Sequence, residues 1–165
     1  LKGVEFSVVQ GGANRQRSVL HGLEVVPPGI KHVAIHDAAR PFCSAAMFVK
    51  VAAVAVETGA AILAVPGAEK VKQVDGNRIV KTVEREPLWL AQTPQIFSYD
   101  LILKAHKRAD AEGYVGTDDA ELIERLGMRV SIVRGVRDNI KITTPDDLKL
   151  AAALAQASIQ PDGRQ

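Results

Sequence analysis

One cysteine occurs in 165 residues, Cys43, so no disulfide can close within the chain and no cysteine-rich metal cluster can be built. That scarcity suits a reducing compartment, and the cytoplasm is expected. Long apolar runs are absent as well: none reaches bilayer-spanning length, and no basic-then-apolar leader opens the chain. The net charge is only +2, and the basic residues are scattered, which argues against a nucleic-acid tail or a membrane patch. An anionic partner must therefore be met locally. Neither internal repeats nor low-complexity segments are present. With 47% hydrophobic residues the chain can form one globular domain with a sizeable core, expected over residues 1–157 with a tail over 158–165. Leu1 is not a start methionine and "VEFSVVQGG" resembles a domain interior, so further chain upstream is expected.

What is present alternates. Val4–Val9 reads as a strand stopping at Gly11-Gly12, and Arg15–Val26 carries Val19, Leu20 and Leu23 at helical spacing before Pro27-Pro28. His32–His36 reads as a strand, Ala45–Glu57 as a helix capped by Ser44 and ended by Gly59, and Ala61–Val65 as a strand. Near-continuous apolar strands separated by helices indicate an α/β fold with a mostly parallel sheet flanked by helices. "EKVKQVDGNRIVKTVE" breaks this order with two alternating runs around Asp75-Gly76, a hairpin arm over about 69–84 with Val71 and Val74 facing one way. An arm with so little core gains stability by packing on a second subunit, so a homodimer is expected. Helices follow over Ser98–Glu112 and Thr117–Leu126, then a strand over Arg129–Val133 and a helix capped by Thr144 with Pro145 in its first turn.

Ligands of open α/β sheets sit beyond the carboxyl ends of the strands, where "HDAAR" falls. Asp37 could hold a ribose hydroxyl or a metal-nucleotide, whereas Arg40 is expected to pin the loop. "GGANRQRS" offers close backbone approach and a helix start, a weak signal alone. In "DNIKIT" a strand-like run sets Lys141 opposite Ile140 and Ile142, half buried and in want of an anion, or else snorkelling from an edge. Arg85 at the foot of the arm reads, taken alone, as a solvated charge. The four histidines, at 21, 32, 36 and 106, have no zinc spacing, and no covalent nucleophile stands out. A reaction carried by positioning and charge stabilisation, such as phosphoryl or nucleotidyl transfer, fits better.

"GGANRQRSVLHGL", "HDAARPF", "LAQTPQIF", "TDDAELIERLG" and "DNIKITTPDDL", in that order, resemble the 2-C-methyl-D-erythritol 4-phosphate cytidylyltransferase family from Val8 to Leu154. The resemblance implies a Rossmann-like nucleotidyltransferase fold with a protruding β-arm, a homodimer joined through that arm, and reaction of CTP, carrying Mg2+, with methylerythritol phosphate. It further implies a nucleotide side made of Gly12, Ser18, Asp37 and Ala38. Arg85 and Lys141 would act on the substrate phosphate, with Asp37 and Thr117 as further substrate contacts and Arg85 serving the neighbouring subunit. No metal ligand is implied within the chain. Two departures stand out: Glu69 and Lys70 replace the family's Asp-Thr pair, and the glycine-rich catalytic loop has no counterpart in the 165 residues. A polypeptide starting at Leu1 is accordingly expected to show negligible cytidylyl transfer. The rival readings are a ribitol 5-phosphate or other polyol-phosphate cytidylyltransferase and a non-catalytic dimeric ligand-binding protein on the same fold. A dinucleotide dehydrogenase is disfavoured, since no G-x-G-x-x-G opens a βα unit.

Overall fold

Residues 6–159 are described by the structure, a computed structural model. Helix α1 (Arg15–Glu24) starts at Asn14, whose side chain accepts from the Arg17 N–H, and strand β1 (His32–Ile35) follows. Helix α2 (Ala45–Thr58) ends at Gly59, where φ is 84°, a conformation that suits a residue without Cβ. Ser44 stands at the N-cap position of α2 without a capping side-chain bond. Strand β2 (Ala60–Pro66) leads to the hairpin β3 (Val71–Asp75) and β4 (Arg78–Val83), then to β5 (Trp89–Ser98). Helices α3 (Tyr99–Ala111) and α4 (Asp119–Arg125), strand β6 (Ser131–Arg134) and helix α5 (Pro145–Ile159) complete the order.

The main sheet runs β1-β5-β2-β6. β5 is antiparallel to both β1 and β2, whereas β2 and β6 are parallel, so β1, β2 and β6 all point one way. Three co-directional strands with helices on both faces give the expected α/β class. β2 shows why its sequence is an unbroken apolar run: Ala60 and Ile62 join Leu23, Phe97, Ile102 and Ile123 on one face, while Ala61 and Leu63 join Val51, Ala55 and Ile96 on the other. Burial of these side chains, at about 25 cal/mol per Å² of apolar surface, holds α3 and α4 to one side of the sheet and α2 to the other.

Several expectations need correction. Phe6–Val9 forms no strand: a strand needs a neighbour's backbone, none of the described residues pairs with it, and Phe6 and Val8 are exposed. Residues 4–5 of that expected strand lie outside the described residues, as do residues 160–165 of the expected tail, whose first two positions instead continue α5. Strand β5 escaped the pattern because Gln92, Thr93, Pro94 and Gln95 interrupt its apolar run, although all four are buried. The strand-like run at 138–143 is a loop, joined to the turn after β1 by the Ile142 N–H on the Ala39 carbonyl at 2.8 Å. In the hairpin, Gly76 (φ 53°) opens a two-residue loop, and strand alternation puts Val71 and Val74, three residues apart, on opposite faces. Val74, Ile79 and Val80 remain exposed on this separate two-stranded sheet.

Candidate active site

Beyond the carboxyl end of β1, against β5, lies a cavity of about 280 Å³, lined among others by Arg15, Asp37, Arg40, Thr117 and Lys141. Strand β1 delivers Asp37, and the Asp37 N–H donates to Thr93 Oγ1 of β5 at 3.0 Å. That hydroxyl lies 2.9 Å from His36 Nδ1, and His36 Nε2 lies 3.3 Å from the Arg40 carbonyl. Because the Arg40 carbonyl can only accept, its bond needs the imidazole proton on Nε2, which leaves Nδ1 to accept from the Thr93 hydroxyl. His36 thus pins the loop and does not line the cavity.

One carboxylate here faces three cations. Asp37 Oδ2 is 2.9 Å from Lys141 Nζ and 3.9 Å from Arg40 Nε, and Oδ1 is 3.4 Å from Arg15 Nε. Burial pushes the Asp37 carboxyl up, but the bond and charge of Lys141, then those of Arg15, outweigh it and hold the pKa below the ordinary carboxylate value. Arg40 also donates from Nη1 to the Asn139 carbonyl at 2.8 Å, which makes it the loop pin expected from the sequence, and its burial lowers its pKa. Behind it lie Asn139 and Gln92, both buried: Asn139 Nδ2 donates to Gln92 Oε1 at 3.4 Å, and Gln92 Nε2 donates to the Val136 carbonyl at 2.9 Å. Lys141 is therefore an exposed-side lysine paired to an anion, on a loop fixed at both ends.

Arg15, to which the sequence reading gave no role, spans two carboxylates. Its Nη2 lies 2.7 Å from Asp119 Oδ2, and Asp119 Oδ1 accepts from His106 Nε2 at 2.9 Å in the core. Burial lowers the Arg15 pKa, but the bonds and charges of Asp119 and Asp37 raise it overall. "TDDA" thus divides its two aspartates: Asp118 caps α4, accepting from the Glu121 N–H at 2.9 Å and from Gln95 Nε2 at 3.0 Å, while Asp119 turns inward. Only a sequence reader who placed His106 one helix away could have told the second from an ordinary first-turn acid.

Of the expected site residues, Asp37, Thr117 and Lys141 share the cavity lining. Ala38 lies in the exposed turn next to Asp37. Gly12 and Ser18 hold each other: the Gly12 N–H donates to Ser18 Oγ at 2.9 Å and that hydroxyl donates to the Asn14 carbonyl at 2.9 Å. A Cβ on Gly12 would collide with Arg17 Cβ, so this position requires glycine for space. Arg85 does not reach the Asp37 cavity. It bonds the Ala68 carbonyl at 2.6 Å and lines a second depression of about 470 Å³ at the foot of the arm with Lys70, Lys72 and Thr82.

Thr117 is held by Glu121, whose Oε2 accepts from the Thr117 N–H at 2.7 Å and from its hydroxyl at 2.8 Å, while Oε1 accepts from the Tyr114 hydroxyl. Tyr114, then Thr117, draw the Glu121 pKa down from 4.5 to about 2. Because the folded pKa is the depressed one, the anchoring is complete above pH 4.5 and is lost as pH falls through about 2. An NMR titration of the Thr117 amide should show its midpoint near pH 2, and a midpoint at the ordinary value of 4.5 would contradict this anchoring.

Among the described residues, no group of three or more acidic, histidine or cysteine side chains is arranged to hold a metal ion, and both carboxylates facing the cavity are already occupied by donors. The described residues thus form no resident metal cage.

The arrangement of motifs has close parallels. Residues 1–157 match the family model described as IspD, 2-C-methyl-D-erythritol 4-phosphate cytidylyltransferase. Proteins of that name from Bacillus velezensis and Shouchella clausii are 47% and 49% identical over 93% and 89% of this chain, matching 66% and 64% of their own lengths. The chain thus spans about two thirds of the length of the curated relatives it matches. The crystal structure of 2-C-methyl-D-erythritol 4-phosphate cytidylyltransferase from Thermus thermophilus superposes with a TM-score of 0.84 at 37% identity, covering 94% of this chain and 79% of that one. The Francisella tularensis structure of the same name gives 0.80 at 38% identity, covering 87% and 69%. By sequence and by fold, this chain belongs to the 2-C-methyl-D-erythritol 4-phosphate cytidylyltransferase family.

Proposed function

We propose that the full-length protein transfers the cytidylyl group of CTP to 2-C-methyl-D-erythritol 4-phosphate, giving 4-diphosphocytidyl-2-C-methyl-D-erythritol and pyrophosphate in the non-mevalonate route to isoprenoids. The observation that carries this is the cation-ringed Asp37 cavity at the strand ends, in a chain of this family. In the reaction a phosphate oxygen of the acceptor attacks the α-phosphorus of CTP in line, that P–O bond forms, and the α–β bridging bond breaks to release pyrophosphate. Two anions must approach each other, so fixed cations that offset their charge lower the barrier. Lys141 supplies such charge from one chain, and Asp37 lies at the junction of nucleotide and acceptor. Gly12, Ser18 and Ala38 form the nucleotide side, and Thr117, oriented by Glu121, contacts the acceptor. Magnesium arrives on the CTP phosphates.

Arg85 completes the site of a second subunit through the arm, whose exposed Val74, Ile79 and Val80 form the dimer contact. Lys70, next to Arg85, adds a phosphate contact where the family has threonine. No described helix is long and apolar enough to cross a membrane, and a cytoplasmic homodimer is the assembly we infer.

Pyrophosphate release by the full-length protein should be fastest with methylerythritol phosphate. A preference for ribitol 5-phosphate would move the assignment to the polyol-phosphate enzyme, and no turnover with either would move it to a ligand-binding protein. Mixing the impaired Arg85→Ala and Lys141→Ala chains should restore about a quarter of the parent activity, because each statistical hybrid dimer keeps one intact site. No recovery after demonstrated subunit exchange would place Arg85 outside the partner's site.

A further inference from the structure

The ion pairs around Asp37 are unequal in a way that the proposed chemistry needs. Lys141 must leave a carboxylate at 2.9 Å in order to meet an incoming phosphate, and its side chain is 41% exposed, so it is free to swing. Arg40 cannot take its place, because it is 3.9 Å away and bonded to the Asn139 carbonyl. Arg15 can. It is tied at 2.7 Å to Asp119, which is 1% exposed and held from behind by His106, so Arg15 stays in place whatever enters the cavity.

We propose that Arg15 is a positioning residue that, anchored on the buried Asp119–His106 pair, shares the charge of Asp37 and thereby releases Lys141 to bind the anionic substrate. The inference rests on the phosphate-binding reading of the cavity. Without Arg15, the Asp37 carboxylate has a stronger claim on Lys141, because the next cation is pinned beyond hydrogen-bond distance. The consequence is specific in sign. Loss of Arg15 tightens Lys141 onto Asp37, whereas a merely structural residue, on removal, would loosen the surrounding loops and expose that lysine.

Acylation of the lysines by an amine reagent, followed by mass spectrometry, reads this directly in the full-length protein with no substrate present. Arg15→Gln should slow modification of Lys141 by about threefold relative to the exposed Lys104, the scale of a partly exposed ion-pair coupling. Unchanged or faster modification overturns the proposal. Should Arg15→Gln fail to fold, Arg15→Lys keeps a cation on Asp119 while giving up the second reach to Asp37, and the same slowing is expected. In turnover, Arg15→Gln should raise KM for the acceptor phosphate with little change in KM for CTP, and a KM for the acceptor equal to the parent's also overturns the proposal. If the parent shows no cytidylyl transfer, the functional reading fails by itself, and the acylation result still decides the role of Arg15.

Discussion

Asp119→Ala should lower the unfolding free energy by about 3 kcal/mol, close to the lower end of what is lost when one partner of a buried ion pair is removed. Asp119 is 1% exposed, and its two oxygens take one bond each from His106 Nε2 and Arg15 Nη2. Alanine leaves the His106 ring buried with Nε2 unpartnered, in addition to Nδ1, which already lacks a hydrogen-bond partner. Arg15 can recover part of the loss, since its side chain is 37% exposed and can turn to water, which argues for the lower end of the range. For a domain of this size the melting temperature should fall by about 6–12 °C. Asp119→Asn keeps an acceptor for one donor only and should fall between alanine and parent. A melting temperature within about 2 °C of the parent for Asp119→Ala would show that the buried pair contributes no net stability.

How much of this was legible beforehand differs from residue to residue. β2 could be read because both of its faces are buried, so its sequence carries no polar residue to confuse the pattern. β5 could not, because Gln92, Thr93 and Gln95 are buried for their hydrogen bonds to the start of α4 at 118–120, to the loop at 136–139 and to Asp37, which no local periodicity encodes. Asp37 was readable from its place at the end of an apolar strand, a rule of topology rather than of composition. Lys141 reads from sequence as either in want of an anion or snorkelling, and the structure supplies Asp37 as its partner from 104 positions earlier in the chain. Arg15 carries no such signal, because one arginine in "NRQRS" resembles another. Arg17 pairs with Asp110 near the surface at 2.7 Å, while Arg15 reaches the core acid, and only the fold separates them. Gly12 and Ser18 came from family resemblance, and their mutual bond accounts for why the two residue types occur together.

The second large effect falls on chemistry instead of stability. Lys141→Ala in the full-length protein should reduce kcat/KM by about 2–3 kcal/mol, roughly 30- to 150-fold, the loss of a charge-assisted contact to phosphate in the transition state. Folding should be nearly unaffected, because the lysine side chain is 41% exposed and Asp37 keeps Arg15 and Arg40 after its removal. This separation of effects makes the variant informative. If Lys141 served only to neutralise Asp37, then Asp37→Asn would abolish the need for it, and the double variant would be no worse than Asp37→Asn alone. If Lys141 meets the phosphate, the double variant loses activity beyond either single change, since Asp37→Asn leaves the cation free for the substrate and Lys141→Ala then removes it. Activity of Lys141→Ala within about twofold of the parent would exclude the lysine from the phosphate site altogether. Lys141→Arg restores the charge but replaces a mobile ammonium by a planar fork that can grip both oxygens of Asp37, so it should recover only part of the rate. Full recovery would mean that charge alone is needed, and that release from Asp37 is no obstacle to catalysis.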